Sequence, residues 1–367
     1  MRIGLIYLGK HGPGGPISFE LATHLCRKAD LFAVVSKNGD YIGAWRSSGL
    51  KVIEVATFNT KLQAAVSCLS STRIRNLGRE ISSMNPDVLL YPMVHPWTPA
   101  LQKHLPGVPV VTTVHDPASH PGLVHRLSSL WERRSAQMAS RCVVLGQTFV
   151  EVMAARGIAK EKIDVIPHAV FSFYDSFKYE APVSRVPRTL LFFGRITEYK
   201  GLEVLLQAFR IAQTRCPDLR LKIVGEGDMR TYRQLIDSAQ NITVTNTWVA
   251  DPEVPGIFQS ADIVMVPYTS ASQSGVIALA ASFGRPVIAT RVGAIPEQIR
   301  DRETGLLVEP GSAEALASAI DLFIENNQLR EETARRLSVE MRTKCNWQTT
   351  SDAYLESCRR AVLRASN

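Results

Sequence analysis

Leu190-Leu191-Phe192-Phe193-Gly194-Arg195-Ile196-Thr197-Glu198-Tyr199-Lys200-Gly201-Leu202 places a short apolar run, a glycine, two cations and the start of a helical pattern side by side. An apolar run of this length feeding directly into a helix is the signature of a parallel strand and its crossover helix. The run begins at Thr189, and the alternation continues through Leu219–Val224, Ile242–Val244, Ile263–Val266, Pro286–Ala289 and Gly305–Val308. It is already present upstream, in Arg2–Leu8, Leu31–Val35, Val52–Val55, Val88–Tyr91, Val108–Val114 and Cys142–Leu145. Two doubly wound, Rossmann-like α/β domains in series are therefore expected. Phe171 to Pro187, with Tyr174, Asp175, Pro182 and Pro187 and no clear period, reads as the linker between them. The domains are then 1–170 and 171–345, followed by a last helical pattern through Tyr354, Leu355, Cys358, Ala361 and Val362.

The chain has 367 residues, 45% hydrophobic and 21% charged, which excludes disordered, collagenous and fibrous classes. Apolar runs such as Leu31–Val35 fall far short of the roughly eighteen residues of a membrane-spanning helix. Met1–Leu8 meets Gly9-Lys10-His11-Gly12 too soon for a secretory leader, so a cytoplasmic location is expected. Cys26, Cys68, Cys142, Cys216, Cys345 and Cys358 never approach a C-x-x-C spacing and are read as reduced and buried. The net charge of +8 is uneven: residues 1–170 carry 19 Lys+Arg against 11 Asp+Glu, whereas 171–367 carry 23 of each. Basic residues cluster at Arg73, Arg75 and Arg79 and again at Arg126, Arg133, Arg134 and Arg141. The second cluster is interleaved with Leu123, Val124, Leu127, Leu130 and Trp131. Such a pattern suits either a solvated helix face or an anionic membrane surface. No nucleic-acid-binding motif accompanies it.

In open α/β sheets ligands collect beyond the carboxyl ends of the strands, so chemistry is sought in the loops that follow each run. The loop from Gly9 to Pro16 carries Gly14 and Gly15, either as a tight turn or as a close approach of backbone N–H groups to a phosphate or sugar. Val108–Val114 leads into His115-Asp116-Pro117-Ala118-Ser119-His120, a polar cluster where a ligand is expected. With no third ligand nearby, His115 and His120 are not read as a zinc site. Arg195 and Lys200 can converge on one anion, Arg195 by bidentate hydrogen bonds and Lys200 as a point charge, which together suit a diphosphate. Gly225-Glu226-Gly227 reads either as a glycine turn or as a wall of a nucleotide pocket. Ser272 or Ser274 is placed to cap a helix running to Phe283, so that the N–H groups of Gly275 and Val276 face the same site. A well-capped core helix is the plainer alternative.

Gly14-Gly15, Thr113-Val114-His115-Asp116, Val165-Ile166-Pro167-His168, Phe193-Gly194-Arg195 with Tyr199-Lys200-Gly201, Val224-Gly225-Glu226-Gly227, Ala261-Asp262 with Val266-Pro267, and Gly284-Arg285-Pro286-Val287 cover nearly the whole chain in order. In that order they resemble the retaining glycosyltransferases of family 4, which have the two-domain GT-B fold. The resemblance implies two Rossmann-like domains facing across a cleft. The first, 1–170, would hold the acceptor and the second, 171–345, the nucleotide sugar, with helix 346–367 crossing back onto the first. It also implies retaining hexosyl transfer, without metal or cofactor, from a nucleotide diphosphate sugar to a hydroxyl of a glycan or polyprenyl-linked saccharide. Bacterial surface polysaccharide synthesis is the expected setting, with peripheral contact at the inner face of the plasma membrane. Catalytic roles would fall to His115, facing the transferring sugar, and to Arg195 and Lys200 on the donor diphosphate. Gly14, Gly15, Gly194, Glu226, Val249, Ser272, Gln273, Ser274, Gly275 and Val276 would contact the donor, with Glu226 and Val249 near the nucleoside. Asp116 and His120 would meet the acceptor.

One departure stands out. The family's Glu, seven residues, Glu pair falls here on Ala271 and Leu279, neither of which accepts a hydrogen bond through its side chain. Either Thr269, Ser272, Gln273 and Ser274 grip the donor instead, or the scaffold is a non-catalytic accessory subunit of a polysaccharide assembly complex. A sugar-nucleotide epimerase on the same scaffold is the other alternative, with only His115 and Asp116 as local acid–base candidates. The presence of Arg195, Lys200 and His115 together favours an active transferase.

Overall fold

The computed structural model describes residues 1–58, 71–117, 123–176 and 188–365. They fall into two units, Met1–Pro167 with Trp347–Asn367, and His168–Asn346. In the first unit seven strands pair in parallel: β1 (Arg2–Tyr7), β2 (Asp30–Ser36), β3 (Lys51–Val55), β4 (Val88–Tyr91), β5 (Val110–Val114), β6 (Arg141–Val144) and β7 (Ile163–Val165). Their order is β3-β2-β1-β4-β5-β6-β7. β4 and β5 are buried along their whole length, which is why their sequences are continuous apolar runs rather than alternating ones.

The helix Trp347–Ala365 packs in this unit against β4, β5, β6 and the helix Gly14–Leu25. The hydroxyls of Tyr354 and Thr113 lie 3.0 Å apart, and Lys28 Nζ donates to Asp352 at 2.6 Å. β7 is absent from the sequence reading because three residues with a charged centre give no apolar signal. Asp164 is there to receive Arg141 Nε and Nη2, each at 2.6 Å, and Ser357 Oγ at 2.7 Å. Arg141 is thus buried in a bidentate pair and leaves the basic cluster in which its sequence position put it.

In the second unit β8 (Thr189–Phe193), β9 (Arg220–Val224), β10 (Ile242–Thr245), β11 (Ile263–Val266), β12 (Val287–Thr290) and β13 (Leu306–Val308) pair in parallel in the order β10-β9-β8-β11-β12-β13. Helices Leu202–Arg215 and Ala313–Glu325 pack together on this sheet, with Leu205, Phe209, Ile320 and Phe323 fully buried. A chain of ring contacts, 4.9–6.0 Å between centroids, joins Phe171, Tyr174, Phe283, Phe258 and Phe193. Of the stretch read as a linker, Phe171 and Tyr174 are therefore built into this unit, and 177–187 lie outside the described residues. Cys142 and Cys358 are buried as expected, but Cys26 is exposed, and Cys68 lies outside the described residues. No helix among the described residues is long and apolar enough to cross a membrane.

Candidate active site

Strand order in the second unit reverses between β8 and β11, and at such a switch point the two exit loops part to leave a crevice. The β8 exit folds back on the β11 exit at Gly201, whose φ is +68° and where an added Cβ would lie 1.9 Å from the Pro267 carbonyl oxygen. Only glycine fits there. The turn carries Lys200, whose Nζ donates to Tyr268 Oη at 3.0 Å and sits 4.7 Å from the centre of that ring. Ser274 Oγ also donates to Tyr268 Oη, at 3.3 Å. The Cβ position of Gly194 is 3.2 Å from Lys200 Nζ and 3.9 Å from Val276 Cγ2, so ammonium, loop backbone and helix start surround one point. Arg195 is exposed and makes no ion pair or hydrogen bond among the described residues.

Ser274 is the N-cap of the helix Gly275–Ser282, but its hydroxyl is turned to Tyr268 and bonds no N–H of the first turn. The capping expected of Ser272 or Ser274 is thus positional only. Gln298 holds Ser274 instead, its Oε1 accepting from Ser274 N at 2.9 Å and its Nε2 donating to Ser274 O at 3.2 Å. The N–H groups of Gly275 and Val276 are left without an acceptor among the described residues. Ser272 is buried, its carbonyl accepting from Ala294 N at 2.9 Å, and Gln273 Oε1 is sealed from solvent with no partner among the described residues. Ala271 and Leu279 are both buried.

The β8 and β9 exits are stitched together by Gly194 N to Val224 O at 2.9 Å and Ile196 N to Glu226 O at 2.8 Å, leaving the Glu226 side chain exposed. Beyond β10, Asn246 bonds Gly227 through both amide atoms at 3.0 Å, and the Glu253 carboxylate accepts from Ala250 N at 3.1 Å. Between these two anchors stand half-buried Val249 and Trp248, the latter 53% exposed.

In the first unit the switch point lies between β1 and β4. His115, after β5, is turned toward it: Nε2 donates to the Pro92 carbonyl at 2.8 Å, leaving Nδ1 as the acceptor. Burial holds its pKa below the ordinary histidine value, against the Pro92 bond and Asp116, so the ring is neutral. His95, on the β4 exit, stacks on Phe58 at 5.0 Å and accepts from Trp97 N through Nδ1 at 3.2 Å. Burial first, then the Lys10 charge, push its pKa down to about 3, so Nε2 keeps its proton. Glu132, on the helix Leu123–Met138, is pushed up to about 8 by burial and by the neighbouring Asp116 charge. Gly14 and Gly15 are buried: added Cβ atoms would lie 2.9 Å from the Tyr7 and Tyr41 rings respectively, which accounts for both without a ligand. His120 lies outside the described residues, and no cluster of three metal-ligating side chains occurs among them.

Residues 52–171 match the family model described as Glycosyltransferase Family 4, and 187–326 that described as Glycosyl transferases group 1. A D-inositol 3-phosphate glycosyltransferase of Paenarthrobacter aurescens is 32% identical over 279 residues, 70% of this chain and 68% of the relative. The chain belongs to glycosyltransferase family 4. It is a nucleotide-sugar-dependent glycosyltransferase that transfers a sugar to an acceptor. A GDP-mannose:glycolipid 4-beta-D-mannosyltransferase of Xanthomonas campestris is 31% identical over 193 residues, 52% of each chain. The Anabaena protein HepE, solved in complex with UDP and glucose, superposes with a TM-score of 0.75 at 16% identity over 98% of this chain and 99% of that one, which places the fold in the GT-B class.

Within this family 4 glycosyltransferase the structure brings together Gly194, Lys200, Ser274 and Val276, with Arg195 and Gly275 adjoining. Glu226 and Val249 stand on neighbouring strand exits. Trp248, His95 and Glu132 are additions that the sequence reading missed. Trp248 had a faint signal, a large aromatic in the polar stretch Thr245-Asn246-Thr247, whereas His95 and Glu132 had none, because their interest arises from burial.

Proposed function

We propose that the enzyme retains anomeric configuration and needs no metal, moving a hexosyl group from a nucleoside diphosphate sugar to a hydroxyl of a glycan or lipid-linked saccharide in cell-surface polysaccharide assembly. Its place is the cytoplasm, at the inner face of the plasma membrane. The observation that carries this reading is the convergence of Lys200 Nζ, Gly194 and Val276 beside unpaired Arg195. When the sugar C1–O bond breaks, the electron pair goes to the diphosphate, and two cations with two free N–H groups stand where that charge grows. The acceptor hydroxyl attacks from the face the phosphate leaves, and its proton passes to the departing phosphate oxygen. Gln273 and Ser274 supply the polar contacts that Ala271 and Leu279 cannot. Trp248 offers its face to the nucleobase, with Glu226 and Val249 alongside.

The second unit binds the donor and the first the acceptor, for which neutral His115 with its accepting Nδ1 and the neighbouring Asp116 are the described candidate contacts. Among the relatives, one name carries an inositol phosphate and another a glycolipid, which supports a polar or lipid-linked acceptor. Product analysis by NMR tests the stereochemistry: the donor's anomeric configuration is expected in the product, with rates unchanged by a chelator. An inverted anomer, or activity abolished by chelation and restored by a divalent cation, overturns the respective claim.

A further inference from the structure

Several exposed cations of the first unit, Arg27, Lys37 and Lys51 among them, make no ion pair among the described residues, but in one place such cations gather on neighbouring helices. Arg2, Lys28, Arg46, Arg141 and Lys160 each meet a carboxylate. Arg73, Arg75, Arg79, Lys103, Arg133 and Arg134 are all exposed, and none makes an ion pair among the described residues. These six cations stand on three helices packed in sequence, Ser71–Ser83, Thr98–Lys103 and Leu123–Met138. The three helices carry only two carboxylates, Glu80 and Glu132, and Glu132 lines a separate small crevice together with Arg133, Val114 and Met153, which sets Arg133 apart from the other five cations. Between the helices lies an open groove of about 310 Å³ with an apolar floor of Ile74, Pro99, Ala100 and Trp131 and with Lys103 and Arg134 in its wall. Beside it Leu130 is 60% exposed.

Like charges gathered without counter-charges repel one another and call for an anionic partner. An exposed leucine and a half-buried tryptophan in their midst call for an apolar one. A phospholipid surface satisfies both at once, because its phosphates overlie hydrocarbon. We propose that this face docks on an anionic phospholipid bilayer, with Arg73, Arg75, Arg79, Lys103 and Arg134 among the headgroup phosphates and Leu130 and Trp131 entering the interface over the groove. The inference deepens the membrane placement given above and names the surface responsible.

The test is co-sedimentation of the full chain with vesicles of phosphatidylcholine alone or with one part in three phosphatidylglycerol, in the absence of donor and acceptor. Binding is expected only to the anionic vesicles, falling as salt is raised. Replacing Arg73→Gln, Arg75→Gln and Arg134→Gln together is expected to lower partitioning roughly a hundredfold, about fivefold per charge. Leu130→Ser is expected to weaken binding while leaving its salt dependence unchanged. A ligand-free melting temperature and a circular dichroism spectrum equal to wild type certify that each variant is folded. Equal binding to both vesicle types, no binding, or undiminished binding by the triple variant overturns the proposal, as does a preference for a DNA oligonucleotide over the anionic vesicles. Because no sugar is transferred in this assay, its failure leaves the donor site standing, and failure of the donor site leaves vesicle binding intact.

Discussion

Lys200 keeps an uncompensated charge: Tyr268 takes its hydrogen bond and lends its ring, but no carboxylate among the described residues neutralises it. Arg195 beside it is likewise unpaired. Lys200→Ala and Arg195→Ala are each expected to lower turnover about a hundredfold or more, the usual scale for losing a group aimed at developing charge, with melting temperatures near wild type. Steady-state rates of nucleoside diphosphate release measure this, and wild-type turnover in both variants would remove the two cations from the chemistry. Trp248→Ala is expected to weaken nucleotide binding about tenfold, within the range for one lost stacking platform, and calorimetry with the free nucleotide reads it. Arg195 and Lys200 were legible in the sequence because a glycine at a strand exit followed by two cations has a mechanism behind it. Trp248 was only faintly so, because periodicity reports which side chains are buried and is silent on an aromatic that the fold holds out.

Elements explain why other residues carry unexpected roles. β7 is invisible as an apolar run, yet its central Asp164 fixes Arg141 and receives Ser357 from the C-terminal helix, so the charge that hides the strand also anchors it. Ser274 sits where sequence puts an N-cap, but Tyr268 and Gln298 compete for its polar atoms and leave the helix N–H groups unused. On Leu123–Met138 the fold turns Glu132 into a crevice that Arg134 does not line, and burial raises its carboxyl to about 8. A raised folded-state pKa means that the native protein holds a proton the unfolded chain has released above about 4.5. Stability from this group is therefore full at low pH and is lost as pH rises through about 8. Thermal melts from pH 5 to 9 are expected to show a fall in wild type that Glu132→Gln flattens. Parallel curves for the two proteins would show that Glu132 titrates normally.

Over the whole molecule, charge and chemistry divide between the units. The first carries 22 Lys+Arg against 13 Asp+Glu, and the second 20 against 21. The basic half is the one with the unpaired arginine face, and the nearly neutral half is the one with the cation pair at its switch point. The alternation of apolar runs and helical stretches made both parallel sheets legible, since buried parallel strands must be apolar throughout. The pairing of strands was not legible, and pairing is what brings β8 beside β11 and so gathers Lys200, Tyr268 and Val276 from separate segments.

The central claim, a donor site built on Arg195 and Lys200, is tested most directly by melting wild type and Arg195→Ala against a panel of nucleoside diphosphates and their sugars. A ligand at a hundred times its dissociation constant stabilises the folded state by ~2.7 kcal/mol, ample for a melting scan. One nucleotide series is expected to raise the wild-type midpoint and to leave that of Arg195→Ala nearly unmoved. Equal shifts in both proteins, or none in wild type with any member of the panel, would contradict it.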